Sequence, residues 1–332
     1  MILKTKRVKP AKLLILLSVI AAGSLVLALG SGSGQAGLAD LLRLSGDAVD
    51  PATRDVLLKL RLPRALAAFG TGASLALAGV MMQVLLRNPL ADPYILGSSG
   101  GAAVAALAAM LAGGGAVLID ASAFAGALGS TLLVFFIARS DGSWTPGRLL
   151  LTGVVIAAGW GAVISLILAM APAANLRGIL FWLMGDFSFA GNPLPSLVAA
   201  GAALGISFVL ARSLNVLATG DQQAALLGLR VRPVRISIYL LSALLTAVAV
   251  TTAGTVGFVG LVIPHLIRLV SGMDHRSLLP GAALAGGSLL VIADTVARTI
   301  VAPRQLPVGA ITAVIGVPIF LFLLSRTATG KD

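Results

Sequence analysis

The chain has 332 residues, of which 58% are hydrophobic and only 11% charged, with a mean hydropathy of +1.02 and a formal net charge of +12. Such a composition excludes an ordinary soluble domain and describes a polytopic, all-α membrane protein. The basic residues sit at the ends of apolar runs without interleaved aromatics, which argues for membrane topology over nucleic-acid binding, and the absence of cysteine excludes disulfides, thiolate metal sites and a Cys nucleophile.

A span needs about 20 apolar residues. Ten stretches qualify, in one domain covering 1–332: 12–30, 64–86, 94–112, 116–138, 147–171, 193–212, 236–254, 257–270, 280–297 and 308–325. The first follows Lys4, Lys6, Arg7, Lys9 and Lys12 and ends on Ala28-Leu29-Gly30, which resembles a secretory cleavage site. Its apolar run of about 18 residues exceeds the usual signal h-region, so a retained span is the better reading. The segment 31–63 then leaves the membrane through Gly and Ser, and 38–60 reads as short amphipathic helices. Within it Asp50-Pro51 gives an N-cap and a proline at N1.

The second span ends at Arg87-Asn88-Pro89-Leu90-Ala91-Asp92-Pro93, and Asp92-Pro93 is expected to launch the third. This stretch is either a rigid turn or a gate, since broken backbone at membrane depth is tolerated only where it is buried or lines a cavity. Gly113-Gly114-Gly115 divides 94–138 into two spans. Residues 236–267 carry no charge, and one helix over them would run about 48 Å at 1.5 Å per residue. Gly254 and Gly257 therefore supply a turn, and Pro264 marks the second piece as short or broken. The glycines of Gly254-Thr255-Val256-Gly257-Phe258-Val259-Gly260 together with Pro264 allow close helix approach and a bend.

Between these blocks lies a polar island, 212–235, with Arg212, Arg230, Arg232 and Arg235 against a single acid, Asp221. Gly220 to Gly228 reads as a short amphipathic helix opened by Asp221, given an apolar face by Ala224 to Leu227 and ended by Gly228. Pro233 is expected to stop it before the next span. The island is either a solvated loop or a docking helix for a soluble partner. Ten spans put both termini on one side. The termini, Arg87, Arg139, Arg148, the island, Arg268 and Arg276 hold sixteen basic residues together, against eight opposite. The positive-inside rule makes the first side cytoplasmic.

No G-x-x-x-x-G-K-[ST] loop is present, so the chain does not hydrolyse nucleotide in that manner. There is no Glu, and the twelve Asp lie mostly outside the spans, which speaks against an ion-driven secondary transporter, the alternative reading. With His265 and His275 the only histidines, neither a catalytic constellation nor a metal site is expected. At the outer boundary Arg61 and Arg64 flank Leu62-Pro63. Arg298 stands one turn after Asp294, its expected i,i+4 partner. Arg61 and Arg64 have no such neighbour in sequence and are expected to be free for acidic groups from outside.

RLPR at 61–64, NPLADP at 88–93, GFVGLVIPH at 257–265, DHRSLLPG at 274–281, ADTVAR at 293–298 and LPVGAITAVIGVPIFLFLL at 306–324 occur in one order across most of the chain. In these stretches it resembles the permease family of type II ATP-binding-cassette importers for vitamin B12, haem and ferric siderophores. The resemblance implies ten helices per subunit, a homodimer with the pathway at its interface, and residence in the bacterial cytoplasmic membrane. It implies two copies of a separate ATPase that use ATP and Mg inside, a periplasmic substrate-binding protein outside, and no cofactor on this chain. Arg61, Arg64 and Arg298 would meet acidic residues of the binding protein. The coupling segment would be 213–235, with Gly220, Asp221, Ala224 and Gly228 in its coupling helix. Asn88 and Leu90 match a cytoplasmic gate. Pro146 and Gly147, in the second gate loop, stand where the vitamin B12 type carries small hydroxyl residues, which leaves the substrate open.

Overall fold

The structure, a computed structural model, describes residues 9–32, 37–43, 50–139, 145–188 and 190–328, and every regular element among them is a helix. Lys4, Lys6, Arg7, Lys331 and parts of the outer segment (33–36, 44–49) lie outside the described residues. α1 (Pro10–Gly30) and the short α2 (Leu38–Leu42) are followed by α3 (Pro51–Asp55). α3 starts as expected: Asp50 accepts from Thr53 N at 3.4 Å, and Pro51 opens the helix. It does not stop before the second span. A π-helical turn, Val56–Arg61, carries it into α4 (Leu62–Leu85), so 51–85 forms one rod of 35 residues. Pro63 lacks the N–H that would bond Lys59 O, and the wider turn accommodates this, Leu62 N bonding back to Leu57 O.

α4 is the axis of the molecule. From Gly70 to Leu85 every residue is buried, and α9, α12, α13 and α14 pack around it. The remaining helices are α5 (Ser98–Leu111), α6 (Ala116–Ala138), α7 (Pro146–Met170), α8 (Ala173–Met184), α9 (Leu194–Val209), α10 (Ala211–Leu217), α11 (Asp221–Leu226), α12 (Val231–Ala253), α13 (Val259–Ser271), α14 (His275–Thr299) and α15 (Val308–Ala328). Close approach is made by glycine pairs. A β-carbon on Gly72 would overlap the Gly286 carbonyl, one on Gly101 the Gly126 carbonyl, and one on Gly79 the Gly260 carbonyl. Without a hydrophobic driving force between helices in lipid, such backbone contact supplies the packing.

All ten expected stretches are helical, but the count of ten spans does not follow from helix length. Among the described residues six helices are long and apolar enough to cross a membrane: α1, the 51–85 rod, α6, α7, α12 and α14. They become seven if α9 and α10, bent by 65°, form one span. α5, α13 and the apolar part of α15 are shorter, and so is α8, which no sequence signal anticipated. At 1.5 Å per residue α5 and α13 rise only about 20 Å, against a hydrocarbon core of about 30 Å.

Both short helices are preceded by backbone that is not α-helical, and the two lead-in segments meet. Asp92 caps a 3-10 turn, Pro93–Leu96, and not α5 itself; Gly97 at φ 72° then turns the chain into α5. Across from it, Gly254 (φ 66°) and Phe258 (φ 70°) bound the 254–258 break before α13. Val256 N donates to Tyr94 Oη at 3.3 Å, and the Pro93 ring lies on Gly260. Pro264 sits inside α13 and does not break it. By lacking an N–H it leaves the Gly260 carbonyl without its i+4 donor, and Gly79 packs against that carbonyl.

Candidate functional site

At the end of the bundle where α1 stops, the three arginines are held, not free. Arg64 forks onto Asp294, with Nη2 at 2.8 Å from Oδ1 and Nε at 3.0 Å from Oδ2; its Nη1 donates to Gln305 Oε1 at 3.1 Å. Arg298 Nε lies 3.2 Å from Asp294 Oδ2, the expected i,i+4 pair, and Asp186 stands 3.7 Å from Arg64. Ser188 Oγ, at 2.8 Å from Asp186 and 2.9 Å from Gln305, donates to one of them at a time. One network thus ties together α4, α14 and the loops after α8 and α14. The sequence shows Asp294 as the neighbour of Arg298; that the same carboxylate serves Arg64, 230 residues away, is a fact of the α4–α14 contact.

Arg61 and Arg298 also close the end of α1. Arg61 Nη1 donates to Leu29 O at 2.7 Å, and Arg298 Nη2 donates to Ala28 O at 3.1 Å. Cations suit the last carbonyls of a helix, which lack helical donors and carry the negative end of its dipole. Arg61 is consequently 6% exposed and Ala28 1%. The Ala28-Leu29-Gly30 motif is packed structure.

On the other face, α11 covers Asp221–Leu226, with Gly220 (φ 112°) before it and Gly228 (φ 82°) after it, as the expected glycine stop requires. Pro233 lies in the first turn of α12, where its missing N–H would have had no helical partner. Ala224 is fully buried, while Leu226 and Leu227 project at 88% and 69% exposure. Asp221 receives Arg235 Nη1 at 2.9 Å, pinning α11 to α12. α10 is fixed in turn: Asn215 Nδ2 donates to Asp274 Oδ1 at 2.8 Å and His275 N to Asn215 Oδ1 at 2.9 Å. The Asn215 amide, with the Arg276 N–H, holds the Asp274 carboxyl below its usual range.

The 88–93 loop follows α4 at the α11 end, where Arg87 Nη1 lies 3.6 Å from the position of a β-carbon on Gly220. Leu90 N donates to Asn88 Oδ1 at 2.9 Å, so Asn88 makes an Asx turn and leaves Leu90 exposed. Gln83, in the last turn of α4, donates to Leu261 O at 3.2 Å and accepts from Arg268 at 2.8 Å. Pro146 opens α7 behind the Thr145 cap, and Gly147 has nothing within 4 Å of its would-be β-carbon. α7 meets the other loop two turns further in, where Gly153 closes on the Ile95 carbonyl. Of the glycine series, Gly254 abuts Trp182 O and Gly260 abuts Pro93 and Leu75 O. Gly257 does not pack within the chain: its would-be β-carbon faces open space. Among the described residues no group of three or more His, Cys or Asp could hold a metal ion.

Long apolar helices packed through glycine around one buried rod, with broken backbone meeting inside, define a polytopic helical membrane protein. Residues 16–326 match the FecCD transport family, and the chain belongs to that family. It is 40% identical over 333 residues to the hemin transport system permease protein of Yersinia pestis, with 96% of this chain and 97% of that one covered. It is 39% identical over 278 residues to the Fe(3+) dicitrate transport system permease protein of Escherichia coli K12, covering 82% and 85%. A chain solved as an inward-facing conformation of a metal-chelate type ABC transporter superposes with a TM-score of 0.84 at 32% identity, covering 95% of this chain and 99% of that one. The protein is therefore a transport component, the permease subunit of an ATP-binding-cassette importer and not a secondary transporter.

Proposed function

We propose that the chain forms half of the pathway of an importer for a metal chelate: a ferric siderophore, haem or vitamin B12. The carrying observation is the likeness to the metal-chelate type transporter over nearly the full length of both chains. In this reading two copies pair around the pathway. A cell expressing the chain with its ATPase and binding protein is expected to accumulate one of hemin, ferric citrate or cobalamin, and to lose that uptake when this subunit is deleted. Equal uptake of all three with and without the subunit would sink the assignment.

Two separate ATPases, using ATP and Mg, bind the cytoplasmic side at Gly220–Gly228, and a periplasmic binding protein docks outside at Arg61, Arg64 and Arg298. Three guanidiniums against Asp186 and Asp294 leave a net charge of about +1 per copy, which steers an acidic partner and makes docking salt-sensitive. Asn88, Leu90, Pro146 and Gly147 form the inner gate. The exposed Leu226 and Leu227 give α11 the apolar tip that a pocket on the ATPase would receive. A cysteine at Leu226, and not at the buried Ala224, is the proper probe of sidedness. L226C is expected to react with an impermeant maleimide in inside-out vesicles and to be shielded once the ATPase is bound; labelling in intact spheroplasts would invert the topology.

A further inference from the structure

Arg87 has φ 49°, and with Phe258 it is one of two non-glycine residues in left-handed backbone among the described residues. It occupies a defined place, one residue past Leu86, the C-cap of α4. Asn88 N donates to Gln83 O at 3.2 Å and Arg87 N to Val84 O at 3.2 Å, the paired bonds of a Schellman turn. Glycine is the usual residue there, because any β-carbon is strained in that conformation. The turn would form more easily without an arginine, so the outlier points to a role for the side chain.

That side chain reaches the start of α11. Its Nη1 lies 3.6 Å from the place a β-carbon on Gly220 would take, which puts the guanidinium beside the backbone that opens α11. The same end of α11 is held by Arg235, which donates to Asp221 at 2.9 Å. On the backbone side Arg87 is followed by Asn88, whose side chain receives Leu90 N and whose carbonyl receives Ala91 N at 3.1 Å. One residue thus stands beside the start of α11 and opens the loop proposed as the inner gate.

We propose that Arg87 is a positioning residue that couples α11 to the 88–92 loop: its guanidinium, lying beside the Gly220 backbone, ties the left-handed turn from which Asn88 and Leu90 hang to the start of α11. Movement of α11 displaces the guanidinium, and the turn follows. The proposal rests on the reading that α11 faces the ATPase.

The test uses the full complex with its ATPase and binding protein in proteoliposomes, and the probe is whichever of hemin, ferric citrate or cobalamin the wild type accumulates. Arg87→Gly restores the residue the turn prefers, so a merely structural role predicts unchanged or higher thermal stability and unchanged transport. Coupling through Arg87 predicts normal stability and normal ATPase co-purification, with at least about fivefold less probe moved per ATP hydrolysed. Arg87→Asn, which tolerates left-handed backbone without the cation, should show the same loss. Arg87→Lys should recover most of the transport. Wild-type stoichiometry in Arg87→Gly or Arg87→Asn overturns the proposal while leaving α11 docking intact. A complex that retains its ATPase after α11 is replaced by glycine and serine overturns the docking reading and the proposal with it.

Discussion

Gly79→Leu is expected to abolish assembled permease, while Gly257→Leu is expected to leave its yield and thermal midpoint close to wild type. A β-carbon on Gly79 overlaps the Gly260 carbonyl, a backbone atom that cannot swing aside as a side-chain end could. Accommodation would require α13 to move off α4, the most buried helix of the chain. Overpacking of this kind costs about 1–3 kcal/mol for added methylenes in an adaptable core, and a whole side chain against fixed backbone exceeds that range. Gly257 has open space around it and no positive φ, so neither packing nor strain opposes the change. The measurement is size-exclusion yield and thermal unfolding of both variants in detergent. Similar losses in the two would show that the α4–α13 contact is not the one that matters.

Asp294→Asn is expected to lower stability by about 3–5 kcal/mol, the cost of leaving buried ionic partners uncompensated. Its carboxylate, with the side chain 3% exposed, serves both Arg64 and Arg298, each itself 10–13% exposed. The neutral amide keeps the shape and loses the charge. A triple change, Arg64→Met, Asp294→Leu, Arg298→Met, removes all three ions together. It should regain much of the stability, since well-packed apolar residues can replace a buried ionic cluster, yet the proposed docking face would lose its charge. Thermal unfolding separates the two variants, and binding-protein association at low and high salt reads the docking. A single Asp294→Asn variant as stable as wild type would show that solvent reaches the cluster freely.

The helical spans were legible because apolar runs and their glycine and proline interruptions are local properties. So were Asp50-Pro51, the Asp221–Gly228 helix and the Asp294–Arg298 pair, all within one or two turns of sequence. α8 was not legible: Ala173–Met184 is short, carries Arg177 and follows a proline, so it reads as a loop. The partner of Arg64 is set by how α4 lies on α14, and no spacing announces it. Gly79 sits among alanines with nothing to mark it, whereas the conspicuous series at 254, 257 and 260 mixes two packing glycines with one that faces open space. The sequence motif beginning at Arg87 was visible, but its left-handed backbone was not, since arginine gives no hint of the conformation glycine prefers.

The unbroken rod 51–85 has a mechanical consequence. Its 35 residues rise about 52 Å at 1.5 Å per residue, well beyond a hydrocarbon core of about 30 Å. Arg64 grips Asp294 thirteen residues into this shaft, about 20 Å from Pro51, and Arg87 lies two residues past its other end. A shaft transmits a twist or a slide to both ends at once, without a relay of side chains through the interior. Turning it by a single residue would mean a rotation of about 100° and an advance of about 1.5 Å. Such a step would pull the Arg64 fork from its carboxylate and wind the 88–92 loop by the same angle.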